Sequence, residues 1–93
     1  MPTLKVAHIN QQGQNIIIAP LDGSFDRRSS DEQRNLIAEI QLAASNAGLA
    51  GRVVPVWISG GRMKFIALQQ WHPFFRSIDM RWVMANLNQT LTW

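Results

Sequence analysis

The chain predicts an α+β fold in the order ββαββα, a four-stranded, mainly antiparallel sheet with two helices packed on one face. Three observations carry this expectation. Two pairs of short, β-rich runs flank turn signals, at Gln11-Gln12-Gly13-Gln14 and at Gly60-Gly61. Each pair is followed by a segment whose apolar residues recur at helical spacing. The composition, 93 residues with 46% hydrophobic and 16% charged, is that of one folded domain with a single core.

Residues 3–10 and 15–19 read as the first two strands, and the β-branched run Ile16-Ile17-Ile18 is their clearest part. A polar loop from Pro20 to Arg28 follows, with the turn signal Asp22-Gly23. Ser29 and Glu32 form a Ser-x-x-Glu capping box, which starts a helix that Gly48 ends. At 100° per residue that helix gathers Leu36, Ile37, Ile40, Ala43, Ala44 and Ala47 on one stripe and leaves Leu42 outside it.

Residues 52–58 and 63–68 make the second hairpin around Gly60-Gly61. Pro55 cannot donate to a ladder, so its strand is expected at an edge or at a bulge. An irregular stretch, Gln69 to Arg76, leads into a second helix from Ser77 to Leu91. Met80, Val83, Met84, Leu87 and Leu91 form its core stripe. The two halves, 3–48 and 52–92, read as a ββα pseudo-repeat within the single domain. They share the pattern Arg-Ser-x-Asp at Arg28-Ser29-Ser30-Asp31 and Arg76-Ser77-Ile78-Asp79. Helix-start chemistry by itself also produces such a match.

Register decides which surfaces are left over. A two-residue turn at Gly60-Gly61 pairs Ile58 with Met63, Val56 with Phe65 and Val54 with Ala67 on one side of the hairpin. The other side carries Val53, Pro55, Trp57, Lys64, Ile66 and Leu68 and is also largely apolar. The first hairpin is two-sided as well, with Lys5, Ala7, Ile9, Ile16 and Ile18 opposed to Val6, His8, Ile17 and Ala19. Two helices on one face would leave the second face open, which points to a two-fold homodimer or a protein partner.

The expected interface uses Trp57, Ile66 and Leu68 on that face, or the outward side of the second helix. That side holds Trp82, Asn86, Gln89 and, if the helix continues, Trp93. Tryptophan is enriched where interfaces concentrate their binding energy.

The remaining chemistry is sparse. The net charge is +3, which permits a nucleic-acid partner without demanding one. Arg27, Arg28, Arg76 and Arg81 lie near helix starts, and with Trp71, Phe74 and Phe75 they could grip phosphates and stack bases. Pairing with Asp26, Asp31 or Asp79 is their simpler role. His72, between Trp71 and Pro73, marks the rim of a pocket shared with Trp71, Phe74 and Phe75, and His8 is a strand residue.

The chain has no cysteine, so disulfides and thiolate metal sites are excluded. Asp22, Asp26, Asp31 and Glu32 lack the alternation of a calcium loop, and Ser59-Gly60-Gly61-Arg62 joins two strands instead of leading into a helix. No cofactor or metal is therefore expected. The sequence shows no signal-peptide layout and no membrane-length apolar run, so a cytoplasmic protein without a membrane partner is expected.

The reading is a small, non-enzymatic, homodimeric interaction protein. A nucleic-acid-binding module is the first alternative, and a ligand-binding domain or enzyme with its pocket at His72 is the second.

Overall fold

The β-rich runs form the expected hairpins, and both turns are tighter than a generic loop. In the computed structural model, which describes residues 2–93, strand β1 (Thr3–Gln11) pairs antiparallel with β2 (Gln14–Pro20) in the register His8↔Ile17 and Gln11↔Gln14. Strand β3 (Arg52–Ser59) pairs antiparallel with β4 (Arg62–Phe65), with Val56 opposite Phe65 and Ile58 opposite Met63. Gly60 and Gly61 both take positive φ, 61° and 77°. This is the left-handed pair that a twisted two-residue hairpin needs and glycine supplies without strain.

Helix α1 (Ser30–Asn46) starts at Ser29, whose hydroxyl accepts the Glu32 N–H at 3.2 Å. The chain turns at Gly48, where the Leu49 N–H returns to the Ala44 carbonyl at 2.9 Å. Buried Ala43 and Ala44 bring this helix close to the sheet.

The α+β class is as expected, and its assembly differs in three ways. The sheet has five strands in the order β4-β3-β2-β1-β5, the last of them Gln89–Thr92. The two hairpins meet through a parallel pairing of β2 with β3, Ile17 opposite Val53, with α1 as the crossover between them. The helices lie on both faces instead of one. Helix α1 packs on Val6, Ile17, Ala19, Val53 and Leu91, whereas α2 (His72–Arg76) and α3 (Met80–Ala85) cover Ala7, Ile16, Ile18, Val54 and Val56 through Phe75 and Val83.

The cause is the crossover. A parallel β2–β3 connection must pass over one face, so the segment returning from β4 to the far edge takes the other.

The expected Ser77–Leu91 helix is also not one element. It is the six-residue α3, a connection, and strand β5 (Gln89–Thr92), which pairs antiparallel with β1. Asn86 ends α3 by donating from Nδ2 to the Trp82 carbonyl at 2.7 Å. Asn88 then binds both backbone groups of His8: Oδ1 accepts the N–H and Nδ2 donates to the carbonyl, each at 2.8 Å. The side chain thus extends the ladder where the main chain has not yet joined it.

The Arg-Ser-x-Asp pattern serves different ends in its two places. Ser29 caps α1, whereas Asp79, accepting the Trp82 N–H at 2.9 Å, caps α3. No helix among the described residues is long and apolar enough to cross a membrane.

Candidate functional site

Helix α1 leaves a strip of its sheet face uncovered beside β4. Strand β4 has only four residues, yet the chain continues along β3, with the Ile66 N–H donating to the Pro55 carbonyl at 3.2 Å. Between this segment and the helix runs an open groove of about 820 Å³. Val53 and Pro55 form its floor, Ile66 and Leu68 one wall, and Ile37, Ala38 and Gln41 of α1 the other.

Gln41 fixes the width at one end, accepting the Val53 N–H at 2.8 Å and donating to the Gly51 carbonyl at 3.0 Å. Gly51 is required there. Its φ is +121°, and a Cβ would stand 2.6 Å from the Asn15 carbonyl oxygen.

The chemistry of the groove is apolar with a cationic rim. Ile66 and Leu68 remain 42% and 45% exposed, unlike the buried floor. Arg34 is paired with Asp31 one turn away, and exposed Arg52 makes no ion pair among the described residues. Of the five large exposed hydrophobic residues, Ile66 and Leu68 line this groove, whereas Leu42 stands on the outer side of α1. The other two, Ile58 and Met84, line a smaller cleft of about 460 Å³ at the end of the sheet.

Of the other residues expected at an interface, Trp57 is turned inward. It is 5% exposed, covered by the 3₁₀ turn Gly23–Arg27, with the Phe25 ring 4.8 Å away. Its indole N–H donates to Asp26 Oδ1 at 3.0 Å. The same carboxylate accepts the Ser59 hydroxyl at 3.0 Å and faces Lys64 Nζ at 3.4 Å. The hydrogen bonds from Trp57 and Ser59, with Lys64 beside them, hold the Asp26 pKa below its ordinary value. The apolar second face is therefore largely satisfied within the chain, by α1 and by this turn.

Trp82, Asn86, Gln89 and Trp93 do not share a surface. Trp82 is half-buried edge-on against Phe74, 5.9 Å between rings, in the α2–α3 layer. Trp93 packs against the cluster under α1, on the opposite face of the sheet. Asn86 is occupied with ending α3, and exposed Gln89 lies in β5 opposite Val6.

The aromatic stretch expected around a pocket is a packed layer. Trp71 and Phe75 are buried, Phe75 stacks on Phe65 at 5.3 Å, and Phe74 meets Phe75 edge-on at 5.1 Å. His72 lies edge-on to Phe65 and its Nε2 bonds the Ala67 carbonyl at 3.1 Å. His8 Nε2 is likewise held by the Ala50 carbonyl at 2.9 Å.

The four arginines are not brought together. Arg27 and Arg28 border the α1 face, Arg28 standing 3.9 Å from Glu32, whereas Arg76 and Arg81 belong to the α2–α3 layer. Among the described residues no group of three or more His, Cys, Asp or Glu could hold a metal ion. The chain matches no family model, no curated protein and no solved structure.

Sequence reasoning reached Ile66 and Leu68 by strand alternation but missed Arg34, Ile37, Ala38, Gln41 and Arg52. Ile37 belongs to the helix's predicted core stripe and sits at that stripe's margin, half-buried. The tertiary crossing of α1 over β3 makes these residues one site, and no local pattern encodes that crossing.

Proposed function

We propose that this chain is a small, non-enzymatic interaction protein whose partner surface is the groove beside α1. Its occupant is a protein segment carrying a large apolar side chain next to a carboxylate. One observation carries the reading: Ile66 and Leu68 stay exposed over an otherwise buried apolar floor, with Arg52, in no ion pair among the described residues, at the rim.

Isolated exposed leucines need no explanation, but a walled apolar groove of this size fits the general form of a binding site. The histidines and the carboxylate beside Trp57 are held within the chain. Both histidines are bonded to backbone carbonyls, and Asp26 faces three donors.

The energetic scale is modest. Full burial of a Leu or Ile stabilises by about 1.5–3 kcal/mol, so covering the remaining two-fifths of both residues contributes roughly 1–3 kcal/mol. Loss of one of them should weaken binding about three- to tenfold.

The test is selection of a random peptide library on immobilised protein. Enriched peptides are expected to place Asp or Glu beside a large apolar residue and to bind Leu68→Ser and Arg52→Ala variants more weakly. Enriched peptides that bind both variants as tightly as the parent would remove the groove as the site.

A further inference from the structure

The two edges of the sheet are built differently, and the difference points to a second copy of this chain. Edge strand β4 carries Arg62 and Lys64 in four residues. Charged side chains on an edge oppose pairing with another strand. Edge strand β5, Gln89-Thr90-Leu91-Thr92, has no charge and no proline, and two of its four residues are β-branched. It presents a strand-forming edge without the usual protection.

The free hydrogen-bonding groups on that edge can be identified. Trp93 donates inward to the Pro2 carbonyl at 3.1 Å, and the ladder runs Thr92↔Thr3, Leu91↔Leu4, Thr90↔Lys5. In an antiparallel pair the bonded and non-bonded positions alternate, so Leu91 bonds inward while the N–H and C=O of Thr90 and Thr92 point outward. Both threonines are exposed.

We propose that two copies pair antiparallel through β5 about a two-fold axis at Leu91, forming one continuous sheet. In this register Thr90 of each copy faces Thr92 of the other, and each such pairing exchanges two hydrogen bonds, about four in all. Shifting the axis to Thr90 leaves one pairing and about two bonds, because the Asn88 N–H is already given to the Val6 carbonyl. The same register sets Trp93 across from Gln89 of the other copy, on the sheet face where Trp93 already packs. Gln89 and Trp93 thus meet at an interface, though as strand residues and not as a helix face. This pairing is independent of the groove, which opens at the β4 side of the sheet.

Sedimentation velocity tests it. At about 100 μM, enough to populate a dimer of micromolar Kd, the parent should run near twice the 10.5 kDa chain mass. Thr92→Pro removes an outward N–H that no bond among the described residues uses. It should weaken the dimer at least tenfold with circular dichroism unchanged. Thr92→Lys, whose intrachain neighbour is the uncharged Thr3, places like charges across the two-fold axis; it should do the same and decides the matter if the proline variant does not fold. A monomeric parent overturns the proposal. So does a dimer that survives Thr92→Lys, or one that is broken instead by Leu68→Ser, which would place the contact in the groove.

Discussion

Replacing Asn88 with alanine separates a strand at the C-terminal end of the chain from the helix that its apolar spacing implies. The Asn88 amide makes two 2.8 Å bonds to the backbone of His8, and its own N–H bonds the Val6 carbonyl. Each intramolecular hydrogen bond contributes about 0.5–1.5 kcal/mol net, so losing both side-chain bonds costs roughly 1–3 kcal/mol. On a domain of this length that lowers Tm by roughly 4–8 °C for each kcal/mol. The sign is the diagnostic. On the exposed side of a continuous helix, alanine in place of asparagine would stabilise by about 0.5 kcal/mol, because alanine is the better helix former. Urea unfolding with an unchanged m-value gives the free energy, and hydrogen exchange at the His8 amide reports where protection is lost. A variant as stable as the parent, or more so, would refute this account of how β5 is joined to β1.

Two further outcomes follow from particular contacts. The Asp22 pKa is lowered, chiefly by the bond from the Ser24 N–H, and the Asp26 pKa chiefly by the Trp57 indole, both from an ordinary 3.8. A carboxylate whose folded pKa is depressed stabilises fully above its unfolded value, and that contribution is lost as pH falls through the folded one. Stability at fixed urea should therefore hold above about pH 4 and decline below it, and Asp26→Asn should flatten the decline; equal slopes in parent and variant would rule out the Asp26 contribution. Gly51→Ala forces a side chain to φ +121° and into the Asn15 carbonyl. It should cost about 1–3 kcal/mol or more in thermal or urea unfolding, and a neutral result would contradict the described backbone at the mouth of the groove.

What the sequence made legible follows the range of the interactions. The hairpin registers, His8↔Ile17 and Ile58↔Met63 among them, were readable because a short turn pins both strands and alternation assigns every side chain to a face. The Ser29 cap and the turn at Gly48 were local for the same reason. The pairing of β2 with β3 was not readable, since nothing within a hairpin marks which of its edges another hairpin will join. From that omission came the expectation of an open apolar face, and with it an exposed Trp57.

Strand β5 was masked by coincidence. Leu91 satisfies both the helical stripe and the alternation Thr90-Leu91-Thr92; the poor helix formers Asn86 and Asn88 argue only against the helix, and Thr90 and Thr92 alone argue for the strand. Within the groove, Ile66 and Leu68 came from alternation, whereas Arg52 and Gln41 became neighbours only through the crossover.

Methyl-resolved NMR of the isoleucine- and leucine-labelled protein, titrated with a peptide from the library selection, tests the central claim most directly. Ile37, Ile66 and Leu68 line the groove, while Ile9 and Ile78 pack in the α2–α3 layer on the other face. The account predicts saturable shifts at the first three methyl groups and none at the other two. Shifts centred on Ile9 and Ile78, with Ile66 and Leu68 unmoved, would contradict it.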